Sequence, residues 1–87
     1  MTDATLDATL DATLDATLDA TGLICPLPVL RARRALRDLA VGAVLEMRAT
    51  DPASGKDVPA FCAATGHALV SATEAEGIFT YRIRKGG

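Results

Sequence analysis

Residues 3–18 are four consecutive copies of Asp-Ala-Thr-Leu, and an incomplete fifth, Asp19-Ala20-Thr21, runs into Gly22. No feature constrains the fold of this 87-residue chain more. Identical short copies cannot each find a distinct partner, so only the last can be specified as part of a compact unit. In an extended chain Asp and Thr fall on one face and Ala and Leu on the other, a period-two pattern. Wound as a helix, the leucines would drift about 40° per copy. A strand over residues 18–24 is therefore expected, preceded by a tail, residues 1–17, with a domain over 18–87.

A domain of about 70 residues buries only roughly 60% of the surface its unfolded chain exposes, so chemistry is expected at the surface. The chain carries 9 basic and 11 acidic residues. Four of the acids, Asp3, Asp7, Asp11 and Asp15, lie in the repeat, which leaves 9 basic against 7 acidic elsewhere. Such a mild basic excess is weak support for a nucleic-acid partner. Two cysteines are too few for a disulfide scaffold, and no Cys/His cluster offers four metal ligands; neither metal nor cofactor is called for. The N-terminus has no basic start or apolar stretch, and the apolar run 22–30 is too short to cross a bilayer and holds two prolines. A reducing cytoplasm is the simplest home, with no membrane partner.

From Cys25 the pattern becomes helical. Pro26 and Pro28 suit a helix's first turn, and Val29, Ala32, Leu36 and Leu39 recur on one face, with Gly42 as the stop. A strand is expected over 43–50, with its period blurred, as for a strand with one face only partly covered. Ser54 and Asp57 stand at capping-box spacing; because Pro59 follows, the second helix is expected to begin near Asp57, with Asp57 as cap and Gly66 at its end. Strands over 68–73 and 78–85, joined at Glu76-Gly77, complete the order βαβαββ. This is an α/β chain, a two-layer sandwich of a four-stranded mixed sheet with two helices on one face. Its simplest topology joins parallel neighbours through each helix and closes with an antiparallel hairpin.

The chemistry centres on Cys25-Pro26-Leu27-Pro28. A thiol just ahead of a helix N-terminus faces unpaired amides and the positive end of the dipole, which lowers its pKa and favours thiolate. Cys62, amid Phe61 and Ala63-Ala64, is expected to pack in the core. His67 is expected at the surface near a helix end rather than as a base for Cys25. Arg31, Arg33, Arg34 and Arg37 crowd the first helix, and Arg31, Arg33 and Arg34 are candidate docking residues for an acidic partner or a phosphate backbone. With only Phe61, Phe79 and Tyr81 as aromatics, a base-stacking platform is poorly supported and direct nucleic-acid binding is not expected. Two alternatives remain: an RNA-binding or regulatory module on the arginine helix, and a C-terminal Gly86-Gly87 carboxylate acting as a thiocarboxylate.

Three stretches carry a resemblance. Residues 18–28, ending in Cys25-Pro26-Leu27-Pro28, resemble the opening of the TusA/SirA-like sulfur-carrier family, whose signature is Cys-Pro-x-Pro; residues 51–62 are similar to its second motif, and residues 81–87 to its ending. The resemblance implies the βαβαββ sandwich. It also implies that Cys25 takes up sulfane sulfur as a persulfide from a donor such as a cysteine desulfurase or a rhodanese, and passes it to an acceptor relay protein. The final destination in some members is the tRNA wobble uridine, as 2-thiolation; in others it is dissimilatory sulfur oxidation, molybdenum-cofactor assembly or selenium metabolism. Such a protein is a sulfurtransferase that works with partner enzymes rather than turning over a substrate alone. Leu27 stands where many members of the tRNA pathway carry an acidic residue.

Overall fold

The computed structural model of the protein describes residues 15–86. The first three copies of the repeat, and with them most of the expected tail, lie outside the described residues, as does Gly87. The elements are β1 (Ala16–Ala20), α1 (Leu27–Arg37), β2 (Val44–Ala49), α2 (Ser54–Thr65), β3 (Ala68–Ala75) and β4 (Ile78–Arg84). The order is the βαβαββ expected.

β1 begins two residues before the expected strand and ends four residues sooner. Ala16, Leu18 and Ala20 turn inward while Thr17 and Asp19 are exposed, the period-two division read from the repeat. The strand stops because the Asp19 carboxylate accepts from the Thr21 amide at 3.0 Å and its hydroxyl at 2.6 Å, and Gly22 follows at φ 82°. That local turn competes with the ladder and wins.

The sheet order is β1-β2-β4-β3, with β1 and β2 parallel and the other two pairs antiparallel. The expected adjacency of β2 and β3 is thus corrected: β4 lies between them. Phe79, Tyr81 and Ile83 give β4 a deep apolar face, whereas β3 is exposed along nearly its whole length and takes the edge. A register shift at Leu69/Ser71 interrupts that edge. Glu76 (φ 53°) and Gly77 (φ 81°) form the hairpin turn.

Both helices cover the inward face. Pro28, Ala32 and Leu36 of α1 pack over β1 and β2, while Val58 and Cys62 of α2 pack towards β3 and β4. Between them lie Leu45, Met47, Tyr81 and Ile83, all at 2% exposure or less. On the uncovered face Glu46 pairs with Arg82 at 3.2 Å across the β2–β4 ladder.

Two helix ends differ from expectation. α1 stops at Arg37, well before Gly42; the Lys85 ammonium donates to the carbonyl of its last residue, Arg37, at 3.2 Å and to that of Leu39, just past the helix, at 2.6 Å. Gly42, at φ 91°, instead turns the chain into β2. α2 begins at Ser54, and neither Ser54 nor Asp57 caps it. The Ser54 hydroxyl shares a buried 2.8 Å hydrogen bond with the Tyr81 hydroxyl, and Asp57 is turned to the site. Pro59 lies inside α2, and Gly66, left-handed at φ 81°, closes it as expected.

Candidate functional site: an exposed thiol between two helix starts

Cys25 is exposed and occupies the turn between β1 and α1. Two contacts staple this turn to the segment before α2. The Gly22 amide donates to the Thr50 hydroxyl oxygen at 2.9 Å, and the Cys25 amide donates to Asp51 Oδ2. Asp51 Oδ1 accepts from the Ala53 amide at 3.1 Å, so one carboxylate joins the approaches to both helices. The Cys25–Pro26 peptide bond is cis.

The Cys25 thiol donates to Asp57 Oδ2 at 2.8 Å, across the gap from α1 to the first turn of α2. A groove of about 370 Å³ opens here, lined by Cys25, Pro26, Val29, Asp57, Ala60 and Phe61. It is a shallow apolar trough with a thiol and a carboxylate at one end. The surface location expected for so small a domain is what the chain has.

The expected lowering of the Cys25 pKa is corrected. The hydrogen bond to Asp57 pushes the thiol above its ordinary value, and desolvation, then the negative charges of Asp57 and Asp51, push it the same way. Helix α1 offers little against them. Pro26 is its N-cap and Pro28 stands in its first turn, so neither has an amide to donate. The Leu27 amide is taken by the Ile24 carbonyl at 2.9 Å. These contacts favour the protonated thiol over the thiolate.

The other candidates separate clearly. Cys62 is 3% exposed in the core, where burial raises its pKa. His67 follows α2, with Asp57 in its first turn; about 1.5 Å of rise per residue puts the length of the helix between His67 and Cys25. Its Nδ1 accepts from the Gly86 amide at 2.9 Å. Gly86 is thereby held against the end of α2, where an added Cβ would collide with the Gly66 carbonyl.

Arg31, Arg33, Arg34 and Arg37 lie along α1, and none lines the groove or forms an ion pair among the described residues. Ile24, Leu27 and Leu30 are exposed beside them, at 70%, 40% and 50%. Leu27, Leu30, Arg31 and Arg34 are neighbours at helical spacing, so the outer surface near Cys25 is apolar with a cationic border. No helix among the described residues is long and apolar enough to cross a membrane.

Sequence reasoning missed Asp51 and Asp57 as site residues, taking one for a turn residue and the other for a helix cap. They lie 26 and 32 positions from the cysteine they contact. The one signal that pointed towards them was their position in the second motif of the resemblance.

Comparisons with known proteins bear on this geometry. The profile of the family described as sulfurtransferase TusA matches residues 16–85. A sulfur carrier protein TusA of Pseudomonas paraeruginosa is 50% identical over 65 residues, 75% of this chain and 82% of that protein. One from Pseudomonas syringae pv. syringae is 49% identical over 64 residues, 74% of this chain and 76% of that protein. Among solved structures, a SirA-like protein from Desulfitobacterium hafniense superposes with a TM-score of 0.73 at 28% identity, covering 83% of this chain and 99% of its own.

Proposed function

Because this chain belongs to the sulfurtransferase TusA family, we propose that it relays sulfur as a persulfide carried on Cys25. The observation that carries the proposal is the exposed Cys25 thiol at the mouth of the groove, with its backbone anchored by Asp51. An exposed sulfur can meet the sulfur of another protein without either chain unfolding.

In loading, Cys25 Sγ attacks the terminal sulfur of a donor persulfide. The new bond joins Sγ to that sulfur, the donor's own sulfur–sulfur bond breaks, and the donor cysteine leaves as thiolate. The Cys25 proton is released on the way, by ionisation before attack. No metal or cofactor enters the balance. The donor is a cysteine desulfurase or a rhodanese and the acceptor a further relay protein, in a reducing cytoplasm that keeps Cys25 free. The destination of the sulfur is wobble-uridine 2-thiolation. The carrier domain starts with β1 at Ala16, two residues ahead of the boundary expected at residue 18, and the residues before it form its tail.

Arg31, Arg33 and Arg34 border the apolar patch beside the sulfur and serve as the docking surface. A protein donor charged with labelled sulfur should load the wild type and not Cys25→Ser. Reversing the three arginines to Glu should slow loading from the protein donor about tenfold or more while leaving loading from a small persulfide unchanged. Equal slowing with both donors would remove the docking role, and labelling of Cys25→Ser would remove the carrier role.

A further inference from the structure

The Cys25–Asp57 contact works against the thiolate that a sulfur nucleophile uses, which calls for another purpose. Resting on the carrier function above, we propose that Asp57 biases the loaded protein towards release: its carboxylate stabilises the empty thiol and opposes the loaded, anionic persulfide.

The chemistry of the two states differs in charge. A persulfide is more acidic than the corresponding thiol, so at neutral pH the loaded cysteine is Cys25–S–S⁻ and the empty one Cys25–SH. The empty thiol donates to Asp57 Oδ2 at 2.8 Å. A persulfide anion has no proton to donate and sets a negative charge beside the same carboxylate. In unloading, the acceptor thiol passes its proton to the terminal sulfur and attacks that sulfur as its thiolate, a bond forms between acceptor sulfur and terminal sulfur, and the Sγ–S bond breaks. The proton given up by the acceptor thiol ends on Cys25 Sγ, and the negative charge leaves on the acceptor persulfide. Charge and atoms balance without an oxidant, and the product is the thiol that Asp57 binds.

The surroundings reinforce the bias. From the segment before α2, Asp51 adds a second negative charge, although its oxygens are engaged by the Cys25 and Ala53 amides. From α1 and its cap the groove receives only Pro26 and Val29, and from α2, besides Asp57, only Ala60 and Phe61. Among the described residues no cation lines it. The carboxylates that disfavour thiolate in the empty state would disfavour a persulfide anion for the same physical reason.

The test is an equilibrium. The full-length protein is equilibrated with glutathione persulfide and glutathione at a fixed ratio and neutral pH, and the loaded-to-empty ratio is read by intact mass. Asp57→Asn should raise it about fivefold, as expected for removing one close charge in a solvated site. Asp57→Glu, which keeps the charge, should raise it less, and Asp38→Asn, a carboxylate at the far end of α1, should leave it unchanged. An unchanged ratio in a folded Asp57→Asn protein, or an equal rise in Asp38→Asn, would overturn the proposal. A second readout needs no persulfide. The midpoint pH for iodoacetamide alkylation of Cys25 should fall in Asp57→Asn, and a midpoint that stays put would also overturn it. Failure of every variant, wild type included, to take up sulfur while that midpoint still falls would count against the carrier function instead.

Discussion

Asp51 uses both carboxylate oxygens on backbone amides, one before each helix, and this fixes where Cys25 stands relative to α2. Asp51→Ala removes both bonds at a half-buried position and should cost about 1 to 2 kcal/mol in chemical denaturation. Loading of Cys25 should slow in the same variant, because the sulfur loses its fixed place at the groove. Tyr81→Phe isolates the buried Ser54 hydroxyl and should cost a similar ~1 to 2 kcal/mol without altering loading, since Tyr81 does not line the groove of Cys25. At this scale the sequence shows Cys25 plainly, because a cysteine between a strand and a proline-opened helix is a local pattern. Its electrostatics are not local. The dipole of α1 is visible from Pro26 and Pro28, but the carboxylates that push the thiol up arrive from elsewhere in the chain, so the sequence suggests a lowered pKa where the folded chain raises it.

Among the elements, α2 shows how tertiary contacts override local signals. Ser54 and Asp57 have the spacing of a capping box, yet Tyr81 and Cys25 offer their side chains long-range partners instead. Pro59 cannot donate to the carbonyl one turn back, and the helix nevertheless runs through it with Val58 and Cys62 buried on either side. The ends set by glycine are more legible where the backbone alone decides. Gly66→Ala places a side chain at φ 81° with nothing nearby to clash, so its cost should be the backbone term alone, about 1 kcal/mol. Glu76 carries the opposite opportunity: at φ 53° in the β3–β4 turn, Glu76→Asn should stabilise the fold by about 0.5 kcal/mol, read as a raised melting temperature. Gly42 is legible as punctuation but not as to what it punctuates, because the end of α1 is set by Lys85 from the far end of the chain.

For the molecule as a whole, the order of elements follows from the sequence, and the order of strands in the sheet does not. Period-two patterning shows that β4 has an inward face of Phe79, Tyr81 and Ile83, but the pairing that buries it between β2 and β3 is a non-local choice among similar strands. The apolar faces supply the reason: β3 offers mainly half-buried Leu69 to the core, and the strand with more to bury takes the interior. The described contacts begin with Asp15, whose amide donates to the Val44 carbonyl at 2.8 Å and whose carboxylate accepts from the Val44 amide at 2.9 Å. On this scaffold Cys25 alone is proposed to carry sulfur. The most direct measurement is an intact-mass spectrum after incubation with a persulfide donor, with peptide mapping and a reductant control. The expected result is a gain of one sulfur, mapped to Cys25 and removed by reductant; no gain, or a gain at Cys62 or the C-terminal carboxylate, would rule out sulfur carriage on Cys25.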